Sequence, residues 1–146
     1  MEINHAAPAT FSGSIQIDAD PQTVFDAIAD IDAWSSWSTG VRSAKLGGPL
    51  QVGTVFRWKA GPGTLRSTLQ VVDPPREIGW TGTTMGIRAV HVFRFEPSNG
   101  GTLARSEESW EGFLAGRLKG FSKKRLEQAI TTVLADLKVE AERRAA

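Results

Sequence analysis

Residues 14–25 read Ser-Ile-Gln-Ile-Asp-Ala-Asp-Pro-Gln-Thr-Val-Phe, and this stretch decides how the fold begins. From Thr10 to Asp18, apolar and polar side chains alternate, which is typical of a half-buried strand. Asp20 is placed to cap the free N–H groups of a following helix, and Pro21 suits the first helical position, where no N–H donor is needed. The stretch therefore predicts a strand that leads directly into a short helix.

A second short helix and a series of strands are predicted to follow. Asp30 or Asp32 could cap a helix that carries Trp34 and Trp37. From residue 41 to residue 112, short alternating segments are separated by clusters of Gly, Pro and Asn, which is typical of an antiparallel meander. With the first strand, these segments predict a sheet of about seven strands.

The turns also predict which side chains share a face of the sheet. We expect one hairpin to close on Ala60 and Gly63, and another to pair Phe95 with Thr102 across the Asn99-Gly100 turn. The outer face, which includes Arg57 and Arg94, is then polar. The expected inner face collects Phe56, Trp58, Leu65, Ser67, Leu69, Val71, Ile78, Trp80, Gly82, Ile87, Ala89, His91, Phe93, Phe95, Thr102, Ala104, Ser106, Glu108 and Trp110.

A long amphipathic helix near the end of the chain is predicted to cover that apolar face. Between residues 121 and 141, apolar side chains recur at spacings of three and four: Leu126, Ala129, Ile130, Val133, Leu134 and Leu137. A helix against a strongly bent sheet contacts it along only part of its length, and the small inward residues favour a hollow interior over a filled one. A tightly packed core, in which small and large side chains offset each other, is the alternative.

Composition bounds the class of protein. The chain has 146 residues, 17 basic and 16 acidic side chains and a formal net charge of +1, which fits one globular domain and argues against a nucleic-acid partner. We expect residues 1–9 to be a flexible N-terminus and residues 10–146 to form the domain. The first ten residues contain no apolar run, so a cytoplasmic location and no stable membrane insertion are expected. The chain is expected to be a monomer or a homodimer.

Two further features limit the chemistry. There is no cysteine and there are two histidines, so we expect no metal site and no cofactor. A basic cluster of Lys119, Lys123, Lys124 and Arg125 is interpreted as a solvated helix face, with a phosphate or membrane contact as the alternative.

Three segments carry a resemblance to a known family. They are residues 15–25, the Trp34-Ser35-Ser36-Trp37 segment, and Phe95-Glu96-Pro97 followed by Gly100-Gly101-Thr102. With the element order, they resemble the START-like or Bet v 1-like superfamily (SRPBCC), and more narrowly the polyketide cyclase/dehydrase and lipid-transport family. The resemblance covers residues 14–140. It implies an α+β helix-grip fold, in which a curved antiparallel sheet wraps a long C-terminal helix.

The resemblance implies that the domain binds an apolar or aromatic small molecule, lipid- or polyketide-like, in an internal cavity between sheet and helix. One alternative is an enzyme, a cyclase or dehydratase that works without a metal. Some cyclase relatives use tyrosine hydroxyls, and this chain has no tyrosine. Another alternative is a protein-interaction module like the co-chaperone relatives.

His91 and Glu108 are the strongly polar side chains of the predicted inner face. On neighbouring strands and one step diagonal to each other, they are within reach of a hydrogen bond. They are the candidates for a general base or for a group that orients a polar ligand, while His91 bonded to Ser106 with Glu108 in water at the rim is the alternative. The residues expected to line the cavity are Trp37, Trp58, Trp80, Met85, His91, Phe93, Phe95, Ser106, Glu108, Trp110, Phe113, Phe121 and Ile130.

Overall fold

Seven antiparallel strands form one continuous sheet in the computed structural model, which describes residues 1–146. Strand β1 lies beside β7, and the remaining strands follow in reverse chain order to β2 at the far edge. A single 3₁₀ turn at Ile31–Ala33 joins the first two helices. The elements are β1 (Ala9–Ile17), α1 (Pro21–Ala29), α2 (Trp34–Trp37), β2 (Val41–Leu46), β3 (Val55–Ala60), β4 (Gly63–Asp73), β5 (Glu77–Thr84), β6 (Ile87–Ser98), β7 (Gly101–Glu111), α3 (Phe113–Arg117) and α4 (Lys119–Ala145). This is the helix-grip architecture predicted from the sequence.

Helix α1 begins as its sequence predicts. Asp20 Oδ1 accepts a hydrogen bond of 2.8 Å from the Thr23 N–H, and Pro21 occupies the first helical position. The apolar side of the helix is buried, and Phe25 meets Phe95 of β6 edge-on with 6.3 Å between ring centroids. Helix α1 therefore covers the end of the inner sheet face where Phe95 lies.

The β6–β7 hairpin differs in register from the prediction. Phe95 pairs with Ala104, and Pro97 is the residue that faces Thr102. Asn99 and Gly100 both have positive φ, 50° and 78°, so the strands close through a two-residue turn, which is tighter than expected. The predicted pairing was wrong by two residues, but an even shift leaves every side chain on its predicted face.

A register irregularity in β4 moves one predicted inner residue outward. Leu69 pairs with Trp80 and Val71 pairs with Gly79, so one extra residue of β4 is accommodated between these pairs. Beyond the irregularity the faces of β4 exchange, and Val72, paired with Ile78, packs against the core in place of Val71.

Helix α4 packs mainly against β1 and α1, with further contacts to β7. Leu126, Ile130, Leu134 and Leu137 are buried as predicted, whereas Ala129 is exposed and Val133 is half-buried. The prediction for Ala129 was wrong because the apolar stripe that meets the sheet is only one or two side chains wide along the first half of the helix. None of the helices combines the length and the apolar composition needed to cross a membrane.

The inner face of the sheet has a filled end and an open end. At the filled end Phe56, Leu69, Ile78 and Phe93 are fully buried, and Trp34 of α2 packs on this group. The half-buried inner side chains of the open end are Trp58, Leu65, Ile87, Ala89, Glu108 and Trp110. The inner face is therefore only partly covered at this end, where Trp34 of α2 contacts Trp58 at its border.

Residues of the segment 1–9, for which a flexible N-terminus was predicted, contact the outer face of the sheet. Asn4 N–H donates to Ser109 Oγ at 3.1 Å, and the side chain of Ile3 is buried. Arg94, on the outer face as predicted, donates to the Met1 carbonyl oxygen. Val92 and Ser109 are buried on this side as a result.

Candidate ligand-binding site

His91 and Glu108 face each other directly across the β6–β7 ladder. They are register partners, and His91 Nδ1 lies 3.2 Å from Glu108 Oε1. The sequence predicted a diagonal pair, and the two-residue shift of the hairpin makes it a direct one. Both side chains point to the inner face, and they are 9% and 13% exposed.

The pair belongs to a longer hydrogen-bonded chain. His91 Nε2 lies 2.7 Å from Ser106 Oγ, and Trp110 Nε1–H donates to Glu108 Oε2 at 2.7 Å. His91 therefore contacts both Ser106 and Glu108, and Glu108 is hydrogen-bonded within the protein instead of lying in water at the rim. We call Ser106, His91, Glu108 and Trp110 the polar chain.

Burial favours the neutral forms of both titratable groups. Loss of solvent lowers the pKa of His91 from 6.5 to about 3. It raises the pKa of Glu108 from 4.5 to about 7, although the hydrogen bond from Trp110 opposes this shift. Near neutral pH, Glu108 therefore exchanges between a protonated and an ionised form beside a neutral imidazole.

The two forms of Glu108 select different tautomers of His91. A protonated Glu108 donates to Nδ1, and the imidazole then donates from Nε2 to Ser106 Oγ. An ionised Glu108 accepts from Nδ1–H, and the Ser106 hydroxyl donates to Nε2. The polar chain can thus take up or release one proton at Glu108 while every member keeps a partner.

Glu108 is the member of the polar chain with capacity for a further contact. Both ring nitrogens of His91 are occupied by Ser106 and Glu108. Each carboxyl oxygen of Glu108 has one partner and can accept a second hydrogen bond. A ligand group that enters the open end therefore meets Glu108, and His91 acts behind it by fixing the carboxyl group.

Aromatic rings surround the polar chain. The His91 ring centroid lies 5.0 Å from that of Trp80 and 4.6 Å from that of Phe93. Trp58, half-buried, donates from Nε1 to Ser67 Oγ at 3.1 Å, which leaves its ring along the open end. The surroundings are apolar, and they explain the desolvation of His91 and Glu108.

The predicted site residues fall into three groups by exposure. Trp80, Phe93, Phe95, His91, Ser106 and Ile130 are buried. Trp37, Trp58, Glu108 and Trp110 are half-buried. Met85, Phe113 and Phe121 are 60%, 78% and 62% exposed. A ligand at the open end would contact Trp58, Glu108 and Trp110, which are the half-buried predicted residues there. Trp37 lies on α2, and Phe95 packs against Phe25 of α1 at the filled end.

One side chain at the site lies outside the set of residues predicted to line the cavity. Trp34 meets Trp58 edge-on with 5.5 Å between ring centroids and lies tilted against Trp80 at 5.4 Å, so it packs against the wall of the site from α2. The spacing of Trp34 and Trp37 is the signal that could have identified it. Trp37 Nε1 is buried and has no hydrogen-bond acceptor in the protein.

Two hollows of the molecular surface lie away from these residues. One, of about 340 Å³, is lined by polar side chains of α4 such as Gln128 and Thr131. The other, of about 280 Å³, lies mainly on the outer sheet face around Arg66, Thr83 and Arg88. Neither includes a residue predicted to line the ligand cavity.

Comparison with known proteins agrees with this architecture. Residues 8–142 match the family described as "Polyketide cyclase / dehydrase and lipid transport". No curated protein sequence matches the chain.

Solved structures share the fold at low sequence identity. The hypothetical protein jhp0584 from Helicobacter pylori has a TM-score of 0.83 at 14% identity, with 95% of this chain and 91% of that chain covered. The Zhui aromatase/cyclase from Streptomyces sp. R1128 has a TM-score of 0.79 at 16% identity, with 94% and 95% covered. The protein Ara h 8.0201 has a TM-score of 0.76 at 14% identity, with 92% and 97% covered. These likenesses show the helix-grip fold.

Proposed function

Because the chain belongs to the polyketide cyclase/dehydrase and lipid transport family, we propose that it binds an apolar or aromatic small molecule, lipid- or polyketide-like, between the sheet and α4. The observation that carries the proposal is the polar chain, a connected set of hydrogen bonds on an otherwise apolar inner face. We further propose that the protein acts in the cytoplasm as a monomer or homodimer, without a metal, a cofactor or a nucleic-acid partner.

The ligand is proposed to carry one polar end. Burying carboxyl and imidazole groups is unfavourable unless they are hydrogen-bonded, and the polar chain meets this requirement. Glu108 retains acceptor capacity and is 13% exposed, so it can bind a hydroxyl group that approaches along Trp58 and Trp110. The aromatic rings would contact the apolar part of the ligand.

The test compares naphthalene with 2-naphthol, which differ by one hydroxyl group. Quenching of tryptophan fluorescence measures the binding of each, because Trp58, Trp80 and Trp110 adjoin the proposed site. We expect Glu108→Gln and His91→Ala to weaken 2-naphthol binding by about 1 to 3 kcal/mol and to leave naphthalene binding nearly unchanged.

Glu107→Gln is the matched control, because Glu107 is the sequence neighbour of Glu108 and contacts Arg94 on the outer face at 3.4 Å. It should change neither affinity. Equal losses for both compounds in Glu108→Gln would show damage to the fold instead of a lost ligand contact, and the proposal for Glu108 would then fail.

A second candidate function, a cyclase or dehydratase, is supported by the contact between His91 and Glu108 and by the raised pKa of Glu108, about 7. An ionised Glu108 could remove a proton from a carbon between two carbonyl groups. A C=C bond then forms to the neighbouring carbon as the C–O bond of its hydroxyl breaks, and the protonated Glu108 gives its proton to the departing hydroxyl, which leaves as water. The tyrosine hydroxyls that some cyclase relatives use have no counterpart in this chain, so this candidate rests on the His91–Glu108 pair alone.

Incubation with a linear β-polyketone, followed by absorbance of an aromatic product, tests this candidate. Activity of the wild type that is lost in Glu108→Gln and kept in Glu107→Gln would support it. Binding of 2-naphthol without turnover of the polyketone would contradict the enzymatic candidate and leave ligand binding as the proposed function.

A further inference from the structure

Exposed apolar side chains cluster at the open end of the sheet. Met85, Phe113, Leu118 and Phe121 are between 46% and 78% exposed, and they are four of the seven large apolar side chains that are exposed in the chain. They belong to three elements: the β5–β6 turn, α3 with its junction to α4, and the first turn of α4.

Contacts between these elements hold the cluster together. Met85 Sδ lies 3.2 Å from the position of a Cβ atom at Gly63, at the start of β4. Leu114 Cβ of α3 lies 3.9 Å from the corresponding position at Gly86, beside Met85. Arg125 Nη2 of α4 lies 3.7 Å from the position of a Cβ atom at Gly61, in the β3–β4 turn. The turns and helices therefore form one rim around the open end.

The same rim is strongly basic. Residues 112–126 carry five cations and no acidic side chain, in a chain whose net charge is +1, so the remainder of the chain is net negative. The cations are Arg117, Lys119, Lys123, Lys124 and Arg125, all exposed. The ion pairs of the structure involve other residues. Their positive charge is therefore not neutralised within the protein.

Two of these cations lie over exposed aromatic rings. The Arg117 guanidinium carbon is 5.9 Å from the Phe113 ring centroid, and that of Arg125 is 5.7 Å from the Phe121 ring centroid. Each pair presents an apolar ring and a positive charge side by side, which suits a surface with both apolar and anionic parts.

We propose that this rim, made of the four apolar side chains and the five cations, docks the protein on an anionic lipid bilayer. The phenylalanine, leucine and methionine side chains enter the boundary between headgroups and acyl chains, and the cations bind lipid phosphates. An acidic protein is the weaker fit, because lysine is depleted at protein–protein interfaces and three of the five cations are lysines.

Docking in this orientation goes beyond ligand binding itself. The open end of the inner face, with Trp58 and Trp110, would lie against the membrane. An apolar ligand could then pass between the bilayer and the protein without crossing water.

Flotation with lipid vesicles tests the proposal. The wild type should float with vesicles of phosphatidylcholine mixed with phosphatidylglycerol, and not with phosphatidylcholine alone. High salt should release it, because exposed charges are screened beyond about 3 Å at 1 M salt. K119Q/K123Q/K124Q should lower the partition coefficient by about tenfold or more.

Matched controls remove the same number of cations or apolar side chains from positions outside the rim. They distinguish an effect of the rim from an effect of total charge or total exposed apolar surface. K45Q/R57Q/R66Q removes the same number of exposed cations from outward-facing positions and should float like the wild type. F113A/F121A should lose about tenfold in partition, whereas V52A/V139A, which truncates two other exposed apolar side chains, should not. Circular dichroism confirms that each variant is folded.

Three outcomes would overturn the proposal: no flotation of the wild type, equal losses in rim and control variants, or capture of polyglutamate with no binding to vesicles. Naphthalene binding, measured without vesicles, reports separately on the proposed ligand site. A rim variant that loses vesicle binding and keeps naphthalene binding supports docking as a function of its own.

Discussion

His91 Nδ1 lies 3.2 Å from Glu108 Oε1, and the two residues are direct partners across neighbouring strands. Burial lowers the pKa of the first to about 3 and raises the pKa of the second to about 7. In the unfolded chain the corresponding values are 6.5 and 4.5. Between pH 4.5 and 6.5 the unfolded pair holds its one proton on His91, and the folded pair holds it on Glu108.

The first prediction follows from this proton count. Because both states bind one proton, the wild-type pair adds no pH dependence to stability between pH 4.5 and 6.5. In Glu108→Gln only His91 titrates, the unfolded state binds more protons below pH 6.5, and stability rises with pH up to that value. The free energy of unfolding of the wild type minus that of the variant should fall by about 1 kcal/mol per pH unit from pH 4.5 to 7.

Urea unfolding at a series of pH values measures this difference. Other titrating groups are shared by the two proteins and cancel in the comparison. Parallel stability curves across this range would mean that Glu108 is ionised in the folded protein, and that the pair is an ion pair instead of a neutral one.

The faces of the sheet could be predicted from the sequence better than its pairings. Side chains alternate with a period of two, so the two-residue error at Phe95 and Thr102 left His91, Ser106 and Glu108 on the inner face. The direct contact between His91 and Glu108 could not be predicted, because it depends on the tightness of the Asn99-Gly100 turn. Val71 was misplaced because nothing in its local pattern marks the irregularity in β4.

The helices illustrate a different limit. The cap at Asp20 is a local interaction and is visible in the sequence, so the start of α1 was predicted correctly. Helical periodicity marks the apolar side of α4, but it does not say how wide a contact its partner provides, and Ala129 was therefore assigned to the interior although it is exposed. The exposure of Phe113 and Phe121 follows from the path of the chain between β7 and α4, which spacing does not determine.

A second prediction concerns the seating of α4 on β1. Gly13 of β1 leaves room for the side chains of Ile130 and Leu134, whose methyl groups lie 3.3 and 3.4 Å from the position of a Cβ atom there. Ile130→Ala or Leu134→Ala should therefore lower the free energy of unfolding by about 2 to 5 kcal/mol. Val139→Ala, on the same helix and 71% exposed, should change it by less than about 0.5 kcal/mol.

Denaturant unfolding of the three variants makes this comparison. If Ile130→Ala lowered the free energy of unfolding no more than Val139→Ala does, α4 would not pack on β1 in solution.

A third prediction concerns the C-terminal end of α4. Glu140 accepts hydrogen bonds from Arg143 at 2.7 Å and from Arg144 at 2.8 Å, and Arg144 also contacts Asp30 at the end of α1 at 3.2 Å. The hydrogen bond from Arg143 is the largest cause of the lowered pKa of Glu140, about 2. The ionised form therefore stabilises the fold above pH 4.5, and this contribution is lost as the pH falls towards 2.

Glu140→Gln tests the contribution of this carboxylate. Because Arg143 is largely exposed and water screens the pair, the variant should be less stable than the wild type by about 1 to 2 kcal/mol at neutral pH. The deficit should shrink as the pH falls below 4.5. Glu127→Gln, at an exposed position of the same helix, is the control, and an equal deficit in that variant would contradict a specific role for Glu140.

The last prediction compares two tryptophans in one short helix. Trp34 Nε1 donates to the Ile28 carbonyl oxygen at 2.9 Å, whereas Trp37 Nε1 is buried with no acceptor in the protein. Trp34→Phe leaves that buried carbonyl without its side-chain donor, which should cost about 1 to 3 kcal/mol beyond the lost ring volume. Trp37→Phe removes a donor that has no protein partner, so its loss of stability should come only from the smaller volume of the ring. Thermal and urea unfolding of the two variants measure the difference, and equal losses would show that the Trp37 N–H is hydrogen-bonded to water in solution.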